Sequence, residues 1–186
     1  MRSTMISLVI SGAALSSACT TVRQLRDPAI LRPDGKAERT RSEDALDYSV
    51  ATFIAAPPAV VWAVMTDAPA FLRWNSTLVK LEGVIGMDQK IELVSKVAPD
   101  RSFGLKVSEF DPPRQMVWED GNGMFLGVRH FTLYQRDGGT VLAMSETYSG
   151  FFLGSAEKEM PDFTQNFETF AADAKREAER RASGGL

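Results

Sequence analysis

Residues 124–150, MFLGVRHFTLYQRDGGTVLAMSETYSG, decide the fold. Two runs with period-two apolar spacing flank Arg136-Asp137-Gly138-Gly139, and Asp-Gly between such runs signals a hairpin. A two-residue turn at Asp137-Gly138 sets Leu133 opposite Leu142, Phe131 opposite Met144 and Arg129 opposite Glu146. One face then carries Phe125, Arg129, Phe131, Leu133, Leu142, Met144, Glu146 and Tyr148. His130, Val128, Thr132 and Tyr134 fall on the other face.

Working outward, turn signals divide the preceding chain into strands. Leu78–Ile85 stops at Gly86-Met87-Asp88, Lys90–Val97 at Ala98-Pro99-Asp100, Phe103–Phe110 at Asp111-Pro112-Pro113, and Gln115–Glu119 at Asp120-Gly121-Asn122-Gly123. A loop over 120–123 puts Trp118 opposite Phe125. In the earlier hairpin Ile91, Leu93, Ser95 and Val97 share a face with Phe103, Leu105 and Val107. Ala45–Ile54 reads as a first strand, ended by Pro57-Pro58. A helix over Ala59–Thr66, with Val61, Trp62 and Met65 on one side, and a short helix over Ala70–Trp74 follow. At the other end, Glu157–Ala182 carries a helical stripe of Met160, Phe163, Phe167, Phe170, Ala171 and Ala174, and the charged turns Lys175–Arg181 are expected to face water. A curved sheet with one apolar face needs a cover, and this helix supplies it. The expected architecture is α+β: a seven-stranded antiparallel sheet wrapped around a long C-terminal helix, with two short helices after the first strand.

The N-terminus reads as an address. In MRSTMISLVISGAALSSA, residues 1–18, Arg2 precedes an apolar run and then small residues, the layout of a secretory signal. The run is too short to span a bilayer as a helix. Cys19 follows directly, a position that resembles the lipobox of bacterial lipoproteins, although Leu15 stands one residue further upstream than that pattern has it. The resemblance implies a lipidated Cys19 and a protein anchored on the extracytoplasmic side of a bacterial membrane. Plain secretion with an unmodified cysteine and a cytoplasmic protein with an apolar start are the alternatives. Residues 19–44 read as a tether whose basic residues, Arg23, Arg26, Arg32, Lys36, Arg39 and Arg41, form a solvated linker or touch anionic headgroups. The domain then runs over 45–183, and 184–186 are a tail.

Local motifs over 45 to about 180 resemble the START/birch-pollen-allergen (SRPBCC) superfamily. They are IAAPPAVVW (54–62) with Asp67 and Trp74, EFDPPR (109–114) with Trp118, and GVRHFTL (127–133) with Gly139-Thr140 and ETYSG (146–150). The nearest subgroup is the polyketide cyclase/dehydrase-like proteins. The resemblance implies a helix-grip fold, with a cavity between sheet and long helix for an apolar or amphipathic ligand. It implies no shared catalytic motif.

Composition narrows the chemistry. Net charge is −3, which argues against nucleic acid, and one His with one Cys cannot form a His/Cys zinc site. No glycine-rich phosphate loop or nucleophile elbow is present, and no cofactor or metal is expected. Asp111, Glu119 and Asp120 read as a turn cluster. His130 points away from the inner face. Arg129 and Glu146 form the sharpest pair, read either as a structural cross-strand contact or as a device that orients a ligand's polar head. The expected cavity wall comprises Trp62, Trp74, Leu93, Phe103, Leu105 and Trp118, then Phe125, Phe131, Met144 and Tyr148 beside the charged pair, and Phe163, Phe167 and Phe170 from the helix. Met65, Met116, Met124 and Met160 add adaptable surface. Tyr48 and Tyr148 are read either as hydroxyl donors inside the cavity or as strand tyrosines packed with the hydroxyl at an edge. Three functions follow: a carrier that holds a ligand unchanged, a cyclase/dehydrase- or hydrolase-like enzyme using Glu146, Arg129 and a tyrosine, or an envelope interaction protein with a filled core.

Overall fold

A computed structural model describes residues 32–184. The stretch read as a signal, Cys19 and the first half of the expected tether lie outside them. Eight strands form one antiparallel sheet: β1 (Asp34–Arg41), β2 (Ala45–Ile54), β3 (Leu78–Gly83), β4 (Lys90–Ser95), β5 (Ser102–Asp111), β6 (Gln115–Asn122), β7 (Phe125–Arg136) and β8 (Gly139–Ser149). Their order across the sheet is β1-β2-β8-β7-β6-β5-β4-β3. Helix α1 (Pro58–Thr66), a 3-10 turn (Ala68–Ala70) and α2 (Phe71–Trp74) sit between β2 and β3, while α3 (Leu153–Ala156) and α4 (Thr164–Ala182) follow β8. The helix-grip architecture is thus present, with eight strands rather than seven.

The added strand corrects the reading of residues 34–41 as tether. β1 pairs with β2 from Asp34 opposite Thr52 to Arg41 opposite Leu46. Its exposed, mixed-charge sequence hides the strand from an apolar-pattern search, since an edge strand needs no second buried neighbour. Three of the presumed linker cations are held by acids of the domain: Lys36 by Glu168, Arg39 and Arg41 by Glu157.

The β7–β8 register is the expected one, with Arg129 opposite Glu146 and Leu133 opposite Leu142. The β6–β7 register is not. The turn is Gly123-Met124, so Asn122 faces Phe125, and Trp118 faces Arg129 instead of Phe125. The slip is an even number of residues, so every side chain keeps its face. In β4–β5, Leu93 pairs with Phe103 and Ile91 with Leu105. Val97 falls beyond β4 and is 39% exposed, outside the inner face.

Helix α4 starts at Thr164, not near Glu157. Pro161 explains this, because it lacks an N–H and disfavours helical backbone at Met160. The Asp162 carboxylate accepts the Thr164 N–H at 2.8 Å and its hydroxyl at 2.6 Å, starting the helix there. Carboxylates along α4 then fasten it down. Glu168 accepts the Ala37 N–H at 3.2 Å, Asp173 the Ser76 N–H at 2.6 Å, and Glu179 the Ala55 N–H at 2.9 Å. The last turns do not project into water on all sides: Ala178 is fully buried, and Arg181 bonds Asp67 at the end of α1.

Candidate functional site

The inner face and α4 meet differently at their two ends. Toward α1 and α2 the space is filled. Phe170 lies with ring centroids 5.8 Å from Trp74, 6.0 Å from Phe131 and 6.2 Å from Phe71. Phe131, Met144, Met116 and Met65 are almost wholly buried there. Toward α3 a cavity of about 210 Å³ remains. Its walls are Leu78 of β3, Leu93 and Ser95 of β4, Phe103 and Leu105 of β5, Trp118 and Asp120 of β6, Phe125 and Arg129 of β7, and Glu146 and Tyr148 of β8. Its cover is the α3–α4 connection, with Met160, Pro161 and Phe163, and Asn166 from the first turn of α4. Ala98 and Arg101 of the β4–β5 loop and Glu159 of the cover complete the rim.

Arg129 and Glu146 are both in the cavity wall, and the expected pair is real. Arg129 Nε donates to Glu146 Oε2 at 3.1 Å and Nη2 donates to the same oxygen at 2.5 Å. Their side chains are 15% and 9% exposed. The Arg129 guanidinium also lies 5.5 Å from the centre of the Phe167 ring. Burial is the largest single influence and opposes the Arg129 charge, but Glu146 and Tyr148 beside it together outweigh it and raise the proton affinity of the guanidinium. The Tyr148 hydroxyl is held neutral well past the usual phenol range, first by burial and then by the Glu146 charge. Asp120 is the second acid in the wall. Burial pushes its carboxyl upward against the pull of Arg101. His130 lies on the outer face as alternation required, and burial lowers its proton affinity.

The cavity wall therefore unites Leu93, Phe103, Leu105, Trp118, Phe125, Arg129, Glu146, Tyr148 and Phe163. The other expected wall residues are elsewhere. Trp62 is half-buried on α1 at the margin of the core, against Phe110 at 5.2 Å; Val61, Val64 and Met65 are the buried residues of that helix. Trp74, Phe131, Met144, Phe167 and Phe170 belong to the filled end or lie beneath the wall. Tyr48 is buried, its ring 5.7 Å from Phe163, and its hydroxyl accepts Arg39 Nε of the edge strand β1 at 3.2 Å. Sequence reasoning missed Asp120, Arg101 and Glu159, and placed Ser95 on the inner face without counting it in the wall. Asp120 could have been found by carrying alternation past Trp118 to the end of β6. Arg101 and Glu159 come from loops, where periodicity is silent.

Comparison with known proteins agrees with this geometry. No curated protein matches the sequence. Among solved structures, the ZhuI aromatase/cyclase from Streptomyces sp. R1128 is similar with a TM-score of 0.62 and 18% identity, over 76% of this chain and 99% of that one. The di-domain aromatase/cyclase StfQ of the steffimycin pathway gives 0.60 and 14%, over 75% of this chain and 53% of its own. A protein from Rhodobacter sphaeroides gives 0.53 and 17%, over 80% and 99%. These likenesses show the fold. The sequence profile of one family, described as polyketide cyclase/dehydrase and lipid transport, matches residues 45–179. That span takes in the hairpin, the cavity wall and nearly all of α4, and the chain belongs to the polyketide cyclase/dehydrase and lipid transport family.

Proposed function

We propose that this protein holds a small apolar or amphipathic molecule in the cavity without transforming it, and that Cys19 anchors it by lipid on the extracytoplasmic face of a bacterial membrane. The observation that carries the first half is the unfilled space. A core made only for stability packs to organic-crystal density, whereas this one stops short of the α3–α4 connection and leaves aromatic and aliphatic walls. The volume lies below the roughly 300–1,000 Å³ usual for drug-sized ligands, so it suits one or two fused rings or part of an acyl chain. The Arg129–Glu146 pair satisfies its own charges, which suits a fixed polar anchor for a head group. The second half rests on the apolar run and small residues before Cys19.

A second reading, acid–base chemistry on a ring-forming substrate, is favoured by one observation: Asp120, with its raised proton affinity, stands in the same wall as Arg101, Arg129 and Tyr148. Native mass spectrometry of the full chain extracted from its own host separates the readings. A co-purifying mass identical to a molecule of the host membrane or medium supports the carrier. Conversion of an added aromatic polyketide mimic, abolished by Asp120→Asn, would overturn it. Cys19→Ser should move the protein out of the membrane fraction, and an unchanged distribution would refute the anchor.

A further inference from the structure

Two short segments meet at the end of the sheet beside the cavity. The β6–β7 turn presents Met124, 49% exposed, and the β8–α3 connection presents Phe151 and Phe152, 81% and 46% exposed. The Phe152 N–H donates to the Met124 carbonyl at 2.9 Å. Gly150, at φ +113°, makes the approach possible, since a Cβ there would stand 2.7 Å from that same carbonyl oxygen. Leu153, buried, pins the start of α3. The two phenylalanine rings meet edge to face at 5.3 Å. The tip is therefore a built feature, with its largest side chains turned outward.

Its chemistry is uniform. Residues 123–125 (GMF) and 150–156 (GFFLGSA) carry no charge. The apolar surface continues inward, because Phe125, next to Met124, lines the cavity, as do Ala156 at the end of α3 and Met160 beyond it. We propose that this tip seats the protein on a lipid bilayer, with Phe151, Phe152 and Met124 in the interfacial layer, and that apolar ligand passes between bilayer and cavity along it. A bilayer suits the tip better than a protein groove does. Exposed aromatic side chains on uncharged turns partition into the interface without needing a matching pocket. The chain reaches the sheet at its opposite end, where the Phe53 N–H donates to the Pro33 carbonyl at 3.2 Å, so the tip is a contact separate from any N-terminal anchor. The docking stands on geometry alone; the passage of ligand rests on the carrier reading above.

The test places an environment-sensitive fluorophore on the full chain, in which Cys19→Ser leaves only an engineered thiol. Met124→Cys reports the tip, and Asp137→Cys, at the β7–β8 turn, reports the far end of the same strand. With vesicles of phosphatidylethanolamine and phosphatidylglycerol, the emission at 124 should shift to the blue and be quenched by nitroxide lipids, with no change at 137. Adding Phe151→Ser and Phe152→Ser should remove the shift. It should leave the melting temperature and the binding of a fluorescent fatty acid from solution intact, and slow transfer of that fatty acid from vesicles on the order of tenfold. Unshifted emission at 124 on vesicle-bound protein overturns the docking, and so do equal shifts at 124 and 137. A shift at 124 that tracks protein concentration without vesicles means a second copy is the occupant and also overturns it. Equal transfer rates overturn the passage. A chain that takes up no fatty acid at all overturns the passage and the carrier reading together, while the emission at 124 still decides the docking.

Discussion

The filled and hollow ends of the sheet–helix interface share a face, a composition rich in aromatics and the same covering chain. They differ in what covers them. At the filled end α4 lies directly on the sheet, and Phe170 interlocks with Phe71, Trp74 and Phe131. At the hollow end the cover is the irregular segment before Thr164, and the sheet beneath it carries Arg129, Glu146 and Asp120 among its apolar residues. A loop cannot offer the ridge of side chains that a helix offers. The lesson is that the cavity reflects where α4 begins, as much as which residues line it.

That contrast can be broken by mutation. Phe170→Ala should destabilise the protein by about 4 kcal/mol in urea unfolding, as a large core truncation does, whereas Phe103→Ala in the cavity wall should cost about 1 kcal/mol. Equal costs would mean that the two ends are packed alike. Arg129→Met should cost about 3 kcal/mol, because it leaves the Glu146 carboxylate buried without its partner; adding Glu146→Leu should restore most of the loss. If the double variant is no more stable than the single, the pair is not the reason for the cost.

Smaller effects sharpen the comparison at the cover. Glu157 accepts Arg41 Nε at 2.8 Å and Arg39 Nη2 at 2.6 Å, tying the α3–α4 connection to β1. These bonds, that from Arg41 first, hold its carboxyl below the usual range. Glu157→Ala should speed release of a bound fluorescent fatty acid a few-fold in stopped flow, with little change in melting temperature. No change in the off-rate would show that the cover is held by other contacts. At the filled end, Arg180 and then Arg181 hold the Glu177 carboxyl at about 2, against 4.5 for the free group. A depressed carboxylate adds stability above its unfolded value and loses it as pH falls, here from about 4.5 through about 2. Glu177→Gln should therefore flatten the acid limb of a stability–pH profile in that window and leave the neutral limb unchanged. An unaltered acid limb would remove Glu177 from the account.

Much of the fold was legible because period-two spacing and turn residues act locally. The Arg129–Glu146 pairing followed from Asp137-Gly138 alone. The β6–β7 register did not, since four turn-forming residues in a row, Asp120-Gly121-Asn122-Gly123, leave several turns open, and the structure uses Gly123-Met124. β1 escaped notice because its exposed, charged sequence carries no apolar spacing, and because the acids that hold it, Glu157 and Glu168, are distant in sequence. Of the candidate site, the strand-borne half was readable. The rim residues Arg101 and Glu159 were not, because loops carry no periodicity to place them.

By itself the sequence determined the sheet's faces, the hairpin that carries the charged pair and the amphipathic helix that covers them. These depend on spacing along the chain, which is written in one dimension. Only the tertiary structure decided that Phe131, Met144, Phe167 and Phe170 fill space while Trp118, Phe125, Tyr148 and Phe163 border it. An aromatic residue on an inner face is core or cavity wall according to what stands opposite, and that depends on the place where Pro161 and Asp162 let α4 begin.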